Sequence, residues 1–178
     1  MATLTVDQSG KWESSSDTVI GVTGATAPYS ALVRHVEKRR IDSQLGQFRQ
    51  ERKRSKKVKV IRMFTYSVFL AVKLVIRKGD RLVIDPEYDG NEESIRELLI
   101  FLFNRFTNLG LAPEQVSFER VGKHSLAHTV ANETFAGMRR PEKVLSFEDY
   151  FAILDRTAEI RDRAFRRRKA KQEKQAKK

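Results

Sequence analysis

Thr3-Leu4-Thr5-Val6-Asp7 and Arg81-Leu82-Val83-Ile84-Asp85 are two short apolar segments, and each ends in an aspartate. Their length and their β-branched content read as strands. A buried strand delivers the carboxylate that follows it to the rim of a sheet. Two such rims side by side make a hard-oxygen site suited to Mg²⁺ or Mn²⁺. The same aspartates also suit the turns Asp7-Gln8-Ser9-Gly10 and Asp85-Pro86-Glu87, because aspartate hydrogen-bonds its own backbone there. The elements on either side bear on the choice.

Beyond Gly10, the stretch Asp17-Thr18-Val19-Ile20-Gly21-Val22-Thr23 is rich in β-branched residues and reads as a second strand. Residues 24–28 break it, and Tyr29 to Val36 is read as a third, with the start of a helix as the alternative. Val60, Phe64, Val68, Ala71, Val72 and Val75 recur at helical spacing, which predicts a helix over about 58–77 with an earlier start left open. After the strand at 81–84, Asp89 and Glu92 have the spacing of a capping box. Ile95, Leu99, Leu102, Phe103 and Phe106 then line one helix face. Val116 to Val121 alternates as a fifth strand. A last helix is expected from Ser125, with Ala127, Val130, Ala131, Thr134 and Phe135 inward and His124, His128 and Asn132 on a neighbouring face. Arg139-Arg140-Pro141 reads as a linker, and Ser146 as the N-cap of a short helix.

The formal charge of +12 is unevenly placed. Arg156 to Lys178 carries +8 and Arg49 to Lys59 carries +6, so the remaining residues sum to −2. A near-neutral body with two basic blocks is a charge map that attracts phosphate backbones through counterion release. Arg52, Lys53, Arg54, Lys56 and Lys57 in the first block, and Arg166, Arg167, Arg168 and Lys169 in the second, are the expected nucleic-acid contacts. The chain has no cysteine, which excludes disulfides and thiolate metal sites. Met1 to Glu13 lacks a basic start followed by an apolar run, and the longest apolar stretch, Met63 to Ile76, is too short for a bilayer. An intracellular protein, cytoplasmic or nucleoid-associated, with no membrane partner is expected, and homodimerisation is left open.

Three strands, a helix, a strand, a helix, a strand and a helix is the order of the ribonuclease H-like fold. Over roughly residues 1–138 the chain resembles that nuclease superfamily, which includes the RuvC and integrase types. The local resemblance lies in TVDQSGKWE (residues 5–13) and LVIDPEYDG (residues 82–90). GKHSLAHTVANETF (residues 122–135) looks like the last helix of RuvC-type resolvases, although those carry an acid one turn beyond the histidine and this chain does not. The resemblance implies an α/β domain over 1–138, with a mixed five-stranded sheet flanked by helices. A linker and a basic helical or disordered tail would follow over 139–178.

In that superfamily the first and fourth strands each supply a carboxylate and the last helix an acid or a histidine. Those places are held here by Asp7, Asp85 and His128. The resemblance therefore implies a metal-dependent nuclease that cuts DNA or RNA with two Mg²⁺ or Mn²⁺ ions. Asp7 and Asp85 are the expected metal ligands, and His128 a ligand or a proton carrier, histidine being the side chain that ordinarily titrates nearest neutrality. Lys123, at the mouth of the last helix, is placed to touch a phosphate. Glu87 and Glu119 are spare carboxylates with no assigned role. The alternative is a non-catalytic nucleic-acid-binding protein, or a scaffold in a ribonucleoprotein or mobile-element complex, that uses the basic blocks alone. A zinc site on His124 and His128 lacks both a third ligand on that helix and the glutamate of the zinc-protease motif.

Overall fold

The computed structural model describes residues 1–24, 27–45 and 54–157. The chain is an α/β protein built on one mixed six-stranded sheet. Strands β1 (Thr3–Ser9), β2 (Thr18–Thr23) and β3 (Tyr29–Val33) form an antiparallel meander. Helices α1 (His35–Leu45) and α2 (Lys56–Val72) come next, then β4 (Arg81–Ile84), α3 (Glu92–Phe106), β5 (Val116–Phe118) and α4 (Leu126–Phe135). Strand β6 (Lys143–Leu145) follows, and residues 147–157 form a further helix, α5. The strand order is β5-β4-β1-β2-β3-β6, with β4 parallel to β1 and to β5, and β6 parallel to β3.

Alternation along the strands sorts the two faces. Leu4, Val6, Ile20, Val22, Ala31 and Val33 point into the main core beneath α1, α2 and α3. Within that core Phe69 of α2 meets Phe103 of α3 edge to face at 5.0 Å. Such a pair contributes roughly 0.5–1.5 kcal/mol beyond its buried area. Asp7, Gly21 and Ser30 point to the opposite face, which α4 covers.

The expected sheet had five strands, and the structure has six. The sixth, Lys143–Leu145, pairs in parallel with β3 and lies within the stretch read as linker and tail. Glu142 anchors it by accepting the Ser30 amide at 2.6 Å and the Ser30 hydroxyl at 2.9 Å. Tyr150, Ile153 and Leu154 of α5 are core residues, and the Tyr150 and Ser67 hydroxyls lie 2.6 Å apart. The packed unit therefore runs past residue 138 to at least Thr157.

Three local expectations are also corrected. The third strand stops at Val33, and His35 opens a helix that buries only Lys38, Ile41 and Leu45. The fifth strand ends at Phe118, short of Val121. Asp89 and Glu92 form no capping box, because Asn91 is the N-cap of α3 and Glu92 instead accepts the Gly90 amide at 3.0 Å.

Candidate metal centre

Strands β1 and β4 run side by side in one direction, with Val6 opposite Ile84, so the residues after that pair emerge at one end of the sheet. The Asp85 amide donates to the Val6 carbonyl at 3.0 Å, which extends the ladder by one bond and sets Asp85 beside Asp7. Asp7 is buried on the α4 side. Asp85 accepts the Val121 amide on Oδ1 at 2.7 Å, which fixes one oxygen and leaves the other available. Beyond Pro86 the chain turns back, with the Glu87 amide donating to the Asp85 carbonyl at 2.9 Å. Ligand oxygens of Asp7, Asp85 and Glu87 consequently lie within 4.8 Å of one another.

Helix α4 closes over this end of the sheet because Gly21, the register partner of Asp7, carries no side chain. A Cβ at Gly21 would stand 2.5 Å from the Ala127 carbonyl and 2.9 Å from the Ala131 amide nitrogen. The Ser125 hydroxyl caps the helix by accepting the His128 amide at 3.1 Å. One turn into the helix, the His128 ring lies against Asp7, with Nδ1 2.7 Å from Oδ2.

The neighbours of His128 define which ring nitrogen carries the proton. Ser9 Oγ donates to Asn132 Oδ1, so the Asn132 Nδ2 amide faces His128 Nε2, at 2.7 Å. An amide NH₂ can only donate, so Nε2 accepts and the proton resides on Nδ1, from which it is donated to Asp7. Ser9, Asn132, His128 and Asp7 thus form one chain of directed hydrogen bonds, and both ring nitrogens are engaged within it.

Burial dominates the electrostatics, and the neighbouring carboxylates add to it. Burial, then the charges of Asp7 and Asp85, push Glu87 up to about 7, against the smaller opposing pull of Lys11. Burial also raises Asp7, despite the bond from His128. Three carboxylates whose oxygens converge form a donor set for a hard divalent cation. The residues present fit Mg²⁺ or Mn²⁺.

The other expected contacts are more scattered. Lys123 is exposed in the turn that precedes α4. His124 is exposed in the same turn. Lys56 and Lys57 are exposed in the first turn of α2, and Arg54 lies just before it. Arg52, Lys53, Arg166, Arg167, Arg168 and Lys169 fall outside the described residues. Glu87 is the member of the centre to which the sequence assigned no role. Its signal was the Asp-Pro-Glu spacing, in which a proline turn returns the second acid toward the first. No family model, curated protein or solved structure matches the chain.

Proposed function

We propose that the chain is a metal-dependent nuclease of the ribonuclease H-like type that hydrolyses phosphodiester bonds in DNA or RNA. The observation that carries this reading is the convergence of Asp7, Asp85 and Glu87 at the shared end of two parallel strands. The architecture supports it at a coarser level, since an α/β protein with a mixed sheet flanked by helices is what the resemblance implies. The two basic blocks of the sequence supply the affinity for a polyanion.

Asp7, Asp85 and Glu87 would hold the cations. Mg²⁺ or Mn²⁺ held there would supply Lewis-acid activation of water and offset the charge that builds at a phosphodiester. Asp7 is kept in one orientation by the His128 N–H, and Asp85 by the Val121 amide. His128 has both nitrogens engaged and acts as a positioning residue for Asp7. Lys123, exposed in the turn before α4, attracts the phosphate.

Mn²⁺ titration by calorimetry, paired with cleavage assays on DNA and RNA, tests the reading. Wild type is expected to take up Mn²⁺ and to cut. Asp7→Asn and Asp85→Asn are expected to lose both properties and to keep the fold. Equal cleavage by wild type and both variants overturns the proposal. Salt-sensitive binding of nucleic acid with no Mn²⁺ uptake favours the non-catalytic reading instead.

A further inference from the structure

A groove of about 510 Å³ lies between the β1–β2 connection, α1 and the start of α2. Trp12 and Glu13 line it from the connection, Lys38 and Arg39 from α1, and Lys56 and Lys59 from α2. We propose that this groove carries a polynucleotide strand away from the carboxylate centre, gripping it through its phosphates with Arg39, Lys56 and Lys59. This inference rests on the nuclease reading and names the substrate's path across the same end of the sheet, where the β1–β2 connection leaves β1.

The cations of the groove divide by role. Lys38 is buried, with its ammonium donating to the Lys11 carbonyl at 3.0 Å and the Thr18 hydroxyl at 3.1 Å, 5.8 Å from the Trp12 ring centre. It is a fixed part of the floor. Arg39 and Lys56 are exposed and Lys59 half-buried. Among the described residues none of these three side chains is committed to an ion pair. Glu13 and Asp42 are the acids of the lining, against Lys38, Arg39, Lys56 and Lys59, so the groove keeps a cationic surplus.

Glu13 joins the groove to the centre. Its carboxylate accepts the Tyr88 hydroxyl at 3.1 Å, and Tyr88 directly follows Glu87. The Glu13 charge is also among those that raise Glu87. A strand whose scissile phosphate lay at the centre would therefore have its neighbouring phosphates within reach of the groove's mouth. An acidic wall at the cutting site followed by a basic channel favours a phosphate chain that meets a cation at one point and lysines at the next. The indole of Trp12 is 3% exposed, so no base stacks on it. The grip is accordingly to backbone and tolerant of sequence.

The test measures binding of short labelled single strands, one DNA and one RNA, across a salt series in EDTA, where no cleavage occurs. The triple variant Arg39→Ala/Lys56→Ala/Lys59→Ala is expected to bind both about tenfold or more weakly. Its slope of log affinity against log salt is expected to flatten by about 2, each single-strand phosphate contact contributing roughly 0.7. A charge-matched control, Lys78→Ala/Arg81→Ala/Arg105→Ala, removes exposed cations of which Lys78 and Arg81 stand at the other end of β4 from Asp85. It is expected to lose far less. Unchanged affinity and slope in the groove variant, or an equal loss in the control, overturns the proposal. If the triple variant melts early, Arg39→Ala alone is expected to flatten the slope by roughly 0.7, and no change there overturns it equally. Mn²⁺ uptake measured on the same proteins in EDTA-free buffer separates the two claims. Loss of binding with no Mn²⁺ uptake by wild type retains the groove and removes the nuclease reading, whereas Mn²⁺ uptake with unaltered binding does the reverse.

Discussion

Asp7 Oδ2 and His128 Nδ1 lie 2.7 Å apart, and the bond between them is oriented from behind by Asn132, which occupies the other ring nitrogen. The imidazole thereby becomes a fixed N–H donor. A carboxylate held by directed bonds, here from the His128 ring and the Gln8 amide, is presented to a cation in a fixed orientation, a division of labour common around metal ligands.

Replacing His128 with alanine removes that donor without touching any carboxylate. Mn²⁺ affinity is expected to fall roughly 10- to 100-fold, the usual cost of losing a partner of a ligand. Asn132→Ala should weaken binding in the same direction and by less. His128→Gln keeps an N–H and should recover part of the loss. Titration calorimetry on the three variants decides the matter, and an unchanged Mn²⁺ affinity in His128→Ala would show that Asp7 needs no orienting bond.

Gly21 permits the approach that makes the bond possible. A methyl group there meets helix backbone, the Ala127 carbonyl at 2.5 Å and the Ala131 amide nitrogen at 2.9 Å, neither of which can rotate away. Gly21→Ala should cost roughly 1–3 kcal/mol as an overpacked contact, seen as a Tm lower by roughly 2–12 °C for a chain of this size. Lifting α4 also withdraws His128 from Asp7, so Mn²⁺ affinity should fall with stability. A variant with wild-type Tm and affinity would mean that the helix has room to spare.

Glu87 gives the centre a dependence on pH that can be signed. Its folded value is raised from 4.5 to about 7, so between those limits the folded protein binds more protons than the unfolded chain. Its contribution to stability is full below about pH 4.5 and is lost as pH rises through about 7. Metal-free wild type should therefore lose stability across that window, and Glu87→Gln should lose less. Mn²⁺ should reverse the trend, because the cation replaces the proton. Parallel pH profiles of Tm for the two proteins would sink this account of the crowded carboxylates.

Much of this arrangement was legible because its periodicities are strong. The β-branched runs marked β1, β2 and β4, and the apolar stripe of Ile95, Leu99, Leu102 and Phe103 marked α3. Ser125 announced the start of α4. Helix α1 was legible only as the alternative reading of Tyr29 to Val36, since its inward stripe is Lys38, Ile41 and Leu45, and a lysine in a core carries no hydrophobic signal. Strand β6 has three residues, of which Val144 is exposed, and it depends on the distant Glu142 to Ser30 bonds. In the centre, Asp85 announced itself by following the apolar run of β4, whereas Asp7, read as the end of a strand, lies inside β1, which runs on to Ser9. Glu87 did not announce itself, because its place depends on a turn geometry that many Asp-Pro-Glu segments do not share.

Two truncations separate the packed unit from the basic charge. Ending the chain after Met138 removes β6 and the core residues Tyr150, Ile153 and Leu154. Losing one large core side chain already costs roughly 2–5 kcal/mol, and whole-domain stability is about 5–15 kcal/mol. That protein should fail to fold, as read by circular dichroism and a cooperative melt. Ending it after Ala164 instead removes eight Lys/Arg and only Glu173, a net loss of +7, and takes nothing from the described core. Folding and Mn²⁺ uptake should persist. Affinity for nucleic acid should fall and its salt dependence flatten, by less than seven full contacts because a charge block does not engage every phosphate at once. An unchanged salt slope would assign the C-terminal block to a protein partner and leave the grip on the strand to Arg39, Lys56 and Lys59.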